Sequence, residues 1–88
     1  PSYFEISDVY PNPFNPVLNI NINIAWAAET QVNILDIAGK HINTIHSGYL
    51  QPGSHEMHWN GESLPSGVYF LSVKSGENKL TAKVVLLK

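Results

Sequence analysis

The side chains in this chain that are best suited to binding a metal ion or moving protons are its four histidines, because it contains no cysteine. His55 and His58 lie three residues apart in an alternating segment, a spacing that places their side chains on opposite faces of a strand. His41 and His46, five residues apart, also face opposite sides of a regular strand. A zinc site needs several such side chains around one ion. The spacing therefore predicts surface histidines, with no metal or cofactor site.

The serines and the seven acidic residues show no arrangement typical of catalysis. There is no Gly-x-Ser-x-Gly nucleophile elbow, no phosphate-binding glycine loop and no suggestive pair of carboxylates. Asp36 and Glu62 each lie near a turn glycine, where a carboxylate usually accepts backbone hydrogen bonds. We predict a domain that is not an enzyme.

The charge and hydropathy of the chain argue against nucleic acids and a transmembrane segment. All five cationic residues are lysines and the net charge is −2, so no basic surface dominates. No apolar run approaches the roughly 18–20 residues that cross a bilayer. The chain begins Pro1-Ser2 without a signal-peptide pattern. We therefore expect residues 1–88 to be a single C-terminal domain excised from a larger secreted protein, with the export signal on the upstream part.

Alternation of apolar and polar residues is the main pattern along the chain. Residues 18–24 alternate leucine or isoleucine with asparagine, as expected of a half-buried strand. A further strand is predicted near 3–9, and similar runs between turn signals occur at 32–36, 40–45, 55–59, 68–74 and 79–87. The pattern predicts an all-β, immunoglobulin-like β-sandwich of about seven antiparallel strands and no helix. Tyr69 is expected to occupy the tyrosine corner of such a fold.

Two segments are unusual. Residues 10–16 contain three prolines, which predicts a stiff crossover between the first two strands, held by Tyr10 and Phe14 packing at the edge of the core. Residues 83–88 are apolar between two flanking lysines. We expect this terminal strand to pair in the sheet, with lysines protecting its edge from aggregation.

A carbohydrate-binding or cell-attachment module is an alternative. Such β-sandwiches often present flat aromatic side chains beside amides, and the candidates here are Trp26, Tyr49, Trp59, Asn19, Asn21 and Asn23. Core packing is the default role for Trp59, since it alternates in step with Met57. A passive spacer or oligomerisation domain is a third hypothesis.

Several segments in order resemble one family. Five segments are similar to those of the type A C-terminal sorting domains of the Bacteroidetes type IX secretion system: residues 10–16, residues 34–40, Gly53-Ser54-His55 with Trp59-Asn60-Gly61, residues 66–70, and the lysine-flanked ending 83–88. The Trp59-Asn60-Gly61 segment also resembles the immunoglobulin-like domain of flagellar hook-capping proteins. The residues that carry the family pattern are Tyr10, Pro11, Asn12, Pro13, Asp36, Gly39, Gly67 and Tyr69.

The resemblance implies a function as a secretion signal and no catalytic residue. It implies that a translocon exports the parent enzyme or adhesin, and that a sortase-like peptidase removes the domain. The parent protein would then be attached to the outer-membrane surface of a Gram-negative bacterium. Exposed strand edges are natural sites for strand addition. We expect the translocon to recognise Lys83, Val84, Val85, Leu86, Leu87 and Lys88.

Overall fold

The structure, a computed structural model, describes residues 4–88 and contains seven strands within them. They are β1 (Phe4–Tyr10), β2 (Val17–Ile24), β3 (Ala28–Asp36), β4 (His41–Leu50), β5 (Gly53–Asn60), β6 (Gly67–Ser75) and β7 (Asn78–Leu86). The predicted number of strands is confirmed. The predicted start of the first strand, Tyr3, lies outside the described residues.

The strands form two antiparallel sheets. A three-stranded sheet has the order β1-β2-β5, and a four-stranded sheet has the order β4-β3-β6-β7. Their facing sides enclose one cluster of buried apolar side chains. The predicted all-β sandwich of the immunoglobulin-like type is therefore confirmed.

Strand β2 shows how the sequence pattern builds this core. Its apolar residues Leu18, Ile20 and Ile22 are fully buried, whereas the asparagines between them lie on the outer face of the sheet. The strand lies in the middle of its sheet, where β1 and β5 pair with its two edges. Alternate side chains of a strand point to opposite faces, so the sequence period of two fixes which face is buried.

Strand β4 is longer than the predicted segment 40–45 and continues to Leu50. Its pairing with β3 shifts register twice, once around Ile42 and once around Ile45. Each bulge adds a residue to one strand, so Ile42 and Ile45 both pack against the core although they are three residues apart. The bulges break the alternation from which the length of the strand was predicted.

The turn between β3 and β4 follows the role predicted for Asp36. Its Oδ1 accepts hydrogen bonds from the backbone N–H groups of Ala38, at 2.9 Å, and Lys40, at 2.8 Å. Gly39 has a φ of +88°, a conformation that residues with a Cβ rarely adopt. Asp36 and Gly39 therefore shape this hairpin.

The expected tyrosine corner is also present. The hydroxyl of Tyr69 donates a hydrogen bond of 2.7 Å to the carbonyl of Pro65, four residues upstream. The ring of Tyr69 is buried in the core. One side chain thus fixes the entry to β6 and contributes to the packing between the sheets.

Candidate recognition site at the terminal strand

The two unusual segments of the sequence meet at one edge of the sandwich. Strand β7 is an outer strand of the four-stranded sheet, and residues 12–14 run along its outer edge. The backbone N–H of Phe14 donates to the carbonyl of Val85 at 2.9 Å, and the N–H of Leu87 donates to the carbonyl of Phe14 at 3.0 Å. Phe14 therefore adds a short parallel bridge to the terminal strand.

Asn12 extends this pairing through its side chain. Its Oδ1 accepts a hydrogen bond from the N–H of Val85 at 3.0 Å, and its Nδ2 donates to the carbonyl of Lys83 at 3.2 Å. Pro11 and Pro13, on either side, have no N–H to offer. The primary amide of Asn12 therefore takes the place of a peptide group in the ladder.

The contact with residues 12–14 protects the terminal strand in a way that differs from the expectation. As predicted, the terminal strand pairs in the sheet, by its ladder with β6. Residues 12–14, however, cover its outer edge between Lys83 and Leu87, where lysines alone were expected to protect it. In the folded domain, an added strand cannot pair with this part of β7 unless residues 12–14 move away.

The packing beneath this edge corrects one expectation for the proline-rich segment. Phe14 is only 1% exposed, and its ring centroid lies 5.4 Å from that of Trp59, which in turn lies 5.6 Å from Tyr69. Tyr10, also expected to pack at the core edge, is 41% exposed, so that expectation is wrong. Tyr10 pairs with Asn19, whose side chain is on the outer face of the sheet, and β-pairing puts both on the same side.

Gly61, part of the family-like segment Trp59-Asn60-Gly61, packs against the crossover and the terminal strand. Its N–H donates to the carbonyl of Pro16 at 2.9 Å. A Cβ on this residue would lie 3.1 Å from Cδ2 of Leu86 and 3.5 Å from Cε2 of Phe14. A side chain here would require Leu86 to shift by a few tenths of an ångström, so glycine suits the close approach of the loop after β5 to the crossover and the terminal strand.

The last residue of the strand segment is fixed to a neighbouring loop. The backbone N–H of Lys88 donates to Oγ of Ser66 at 3.0 Å. Its Nζ donates to the carbonyl of Leu64 at 2.8 Å and also to that of Glu62. Lys88 was expected to protect an edge, but its ammonium group holds the loop between β5 and β6.

Exchanging Asn12 for aspartate tests the role of the amide. The Asn12→Asp variant keeps an acceptor for Val85 but loses the donor to the carbonyl of Lys83, against which it places a carboxylate. We expect the free energy of unfolding to fall by about 1–3 kcal/mol, measured by urea denaturation followed by circular dichroism. Asn23→Asp is the matched control, because Oδ1 of Asn23 is only an acceptor for the hydroxyl of Ser54. Equal unfolding midpoints for the two variants would contradict this role.

The histidines form local surface contacts. Nδ1 of His58 lies 2.6 Å from Oδ1 of Asn19, and Nε2 of His55 lies 2.7 Å from the carbonyl of Gln51. Among residues 4–88, no three histidine or acidic side chains are grouped so that they could hold a metal ion. No helix in this range is long and apolar enough to span a membrane.

The aromatic candidates for sugar binding separate into two environments. Trp59 is 4% exposed and packs between Phe14 and Tyr69, so its assignment to a binding platform is wrong and its default role in the core is confirmed. Trp26 and Tyr49 are each 64% exposed. Trp26 lines an open groove of about 390 Å³ with the β6–β7 hairpin. A sugar-binding role for this end of the domain stays a prediction.

The comparison with known families agrees with this geometry. A family model described as "Secretion system C-terminal sorting domain" matches residues 8–87, which include the crossover, the Asp36 turn, the tyrosine corner and all of β7. No curated protein matches the sequence. The family acts as a sorting signal for type IX secretion, and it implies secretion and cell-surface targeting in Bacteroidetes. The match covers nearly the whole chain, and this chain therefore belongs to the family of type IX secretion system C-terminal sorting domains.

Proposed function

We propose that the machinery of type IX secretion recognises this domain at residues 83–88 and exports the protein to which it is joined. The observation that supports this most directly is the placement of the segment. The crossover, the loop after β5 and β6 all contact it, and three of the residues that carry the family pattern, Asn12, Gly67 and Tyr69, pair with it directly.

The fold determines which side chains a partner can contact there. Val84 and Leu86 are fully buried between the sheets. The side chains of Lys83 and Val85 point away from the core, because alternate residues of a strand face opposite sides, and Leu87, just after the strand, is exposed. Val84 and Leu86 therefore fix the segment against the core, and the side chains of Lys83, Val85 and Leu87 are available for contact with a partner.

The same proposal includes the wider assignment. Residues 1–88 form one C-terminal domain of a larger secreted protein, and a sortase-like peptidase removes it when the parent protein is attached to the cell surface. The domain itself is not an enzyme, because its role as a signal requires only that it be bound. Its partners are the translocon, the peptidase and the parent enzyme or adhesin.

An export assay tests this function. A secreted reporter with an N-terminal export signal is joined to residues 1–88 and expressed in a bacterium that has type IX secretion. We expect the reporter at the cell surface, and in the periplasm when residues 81–88 are deleted, because the recognised segment is lost. The same fusion in a strain without the translocon is the control. Normal surface delivery of the truncated fusion would refute the proposal.

A further inference from the structure

The outer face of the four-stranded sheet carries apolar side chains where an antiparallel sheet usually faces water with polar ones. On this face, Leu35 of β3 is opposite Phe70 of β6. Val68 of β6 is opposite Val85 of β7. These four residues, with Ile37 after β3 and Leu87 after β7, are called the apolar stripe below.

The apolar stripe is separate from the hydrophobic core. The neighbours of its residues along the strands, Ile34, Tyr69 and Val84, are buried between the sheets, so the stripe residues point outward. Leu35, Val68, Phe70 and Val85 are half-buried against one another. Ile37 is 72% exposed and Leu87 is 59% exposed, which is high for such side chains. Grouped exposed apolar residues of this kind usually mark a binding surface.

Lysines surround the stripe on β6 and β7. Lys83 is opposite Phe70, and Lys74 is directly opposite Lys79, two like charges that repel each other across the strands. The outward positions of β6 and β7 contain no acidic residue, and β3 adds only Glu29, which lines a shallow groove with Lys74. A partner that brings carboxylates to this face would relieve the repulsion.

The opposite sheet has the complementary composition. The outer positions of β1, β2 and β5 include Glu5, Asn21 and Glu56, and these three strands contain no lysine. The domain therefore has one partly apolar face on which three lysines outnumber the single acidic residue Glu29, and one face of acids and amides. Only the partly apolar face that carries the lysines is continuous with residues 83–88, since Lys83, Val85 and Leu87 lie both on that face and in the terminal segment.

We propose that the apolar stripe docks onto a protein of the secretion machinery whose surface has an apolar centre bordered by carboxylates. This inference rests on the proposed function and makes the signal conformational, because the fold brings together residues from 35 to 87. The lysines on this face favour a partner with carboxylates over a second copy of the domain, whose same face carries lysines as well. Most of the stripe is the flat side of a sheet, and Ile37 in the turn after β3 is its one residue on a connecting loop between strands.

The export assay distinguishes this docking surface from recognition of the terminal segment alone. The double variant Leu35→Thr, Phe70→Thr leaves residues 81–88 unchanged and keeps side chains that suit a strand. We expect its surface delivery to fall roughly tenfold or more, as for the loss of central contacts at an interface. Its circular dichroism should show a folded domain, with a urea midpoint lowered only by the loss of one half-buried cross-strand pair. The matched control, Glu5→Thr with Asn23→Thr on the outer face of the other sheet, should be exported normally.

The outcomes separate the two proposals. Normal export of a folded Leu35→Thr, Phe70→Thr fusion, together with retention of the 81–88 deletion, would overturn the docking surface and leave the proposed function intact. Should the double variant not fold, Lys74→Glu with Lys79→Glu replaces it, because both side chains are exposed. Reversal of these charges should also reduce export, and unchanged export would overturn the inference.

Two further measurements test the class of partner. The purified domain is mixed with vesicles of phosphatidylethanolamine and phosphatidylglycerol and sedimented, and its mass is measured by light scattering. We expect no binding to the vesicles and a monomer. Vesicle binding or a dimer that is lost in the Phe70→Thr variant would overturn the assignment of a protein partner from the machinery.

Discussion

Replacing Phe14 by alanine is expected to lower the free energy of unfolding by about 3–5 kcal/mol. The ring is almost completely buried and packs against Trp59, and Gly61 has no side chain that could fill the space left behind. A small domain has about 5–15 kcal/mol of stability in total. The variant should therefore unfold at a much lower urea concentration than the unchanged domain.

The measurement is urea denaturation followed by tryptophan fluorescence and circular dichroism. Tyr10→Ala is the matched control. It also removes an aromatic side chain from residues 10–16, but the side chain of Tyr10 lies on the outer face of the sheet and is partly exposed. For this control we expect a loss of about 0.5 kcal/mol, typical of surface positions. Equal losses for the two variants would show that Phe14 does not hold the crossover against the core.

Replacing Trp59 by alanine is the second change with a large expected effect. Its ring lies between those of Phe14 and Tyr69, and the residue is opposite Leu18 in the ladder of β2 and β5. We expect a loss of about 3–5 kcal/mol, because alanine leaves a cavity at the centre of the aromatic cluster. Differential scanning calorimetry measures this as a lower and less cooperative transition.

Trp26→Ala is the control for this prediction. Trp26 is mostly exposed, so the expected loss is only about 0.5 kcal/mol.

The same pair of variants tests sugar binding. Trp26→Ala can abolish the affinity for a polysaccharide without unfolding the domain, whereas Trp59→Ala cannot. If titration of the unchanged domain with soluble polysaccharides produces no heat change, this would count against a role in sugar binding. An intact fold after Trp59→Ala would contradict the placement of its ring.

The fold could be predicted wherever neighbouring residues determine it. The alternation in β2, the Asp36 turn and the position of Tyr69 all depend on side chains within a few residues of each other. The end of β4 could not be predicted in this way, because its bulges depend on pairing with β3. The local sequence pattern predicts that a segment is a strand, whereas the position of its bulges depends on the strand with which it pairs.

The candidate site was predicted only in part, for a related reason. The sequence marked the proline-rich crossover and the terminal strand as unusual but gave no sign that they touch. Asn12 bonds to residues that lie 71 and 73 positions further along the chain, and an amide between two prolines reads as an ordinary turn residue. The apolar stripe was hidden because Val85 and Leu87 alternate with Val84 and Leu86 in one continuous apolar run, whose two faces only the sheet distinguishes.

The amide contact of Asn12 has a consequence for the order in which the domain assembles. Contacts between distant parts of a chain form slowly, because a long loop must close before they contribute any stability. The β6–β7 hairpin joins neighbouring residues and needs no such closure. We therefore expect β7 to pair with β6 before Asn12 and Phe14 reach its outer edge, which would leave the N–H and C=O groups of Val85 open to another strand until the crossover closes over them.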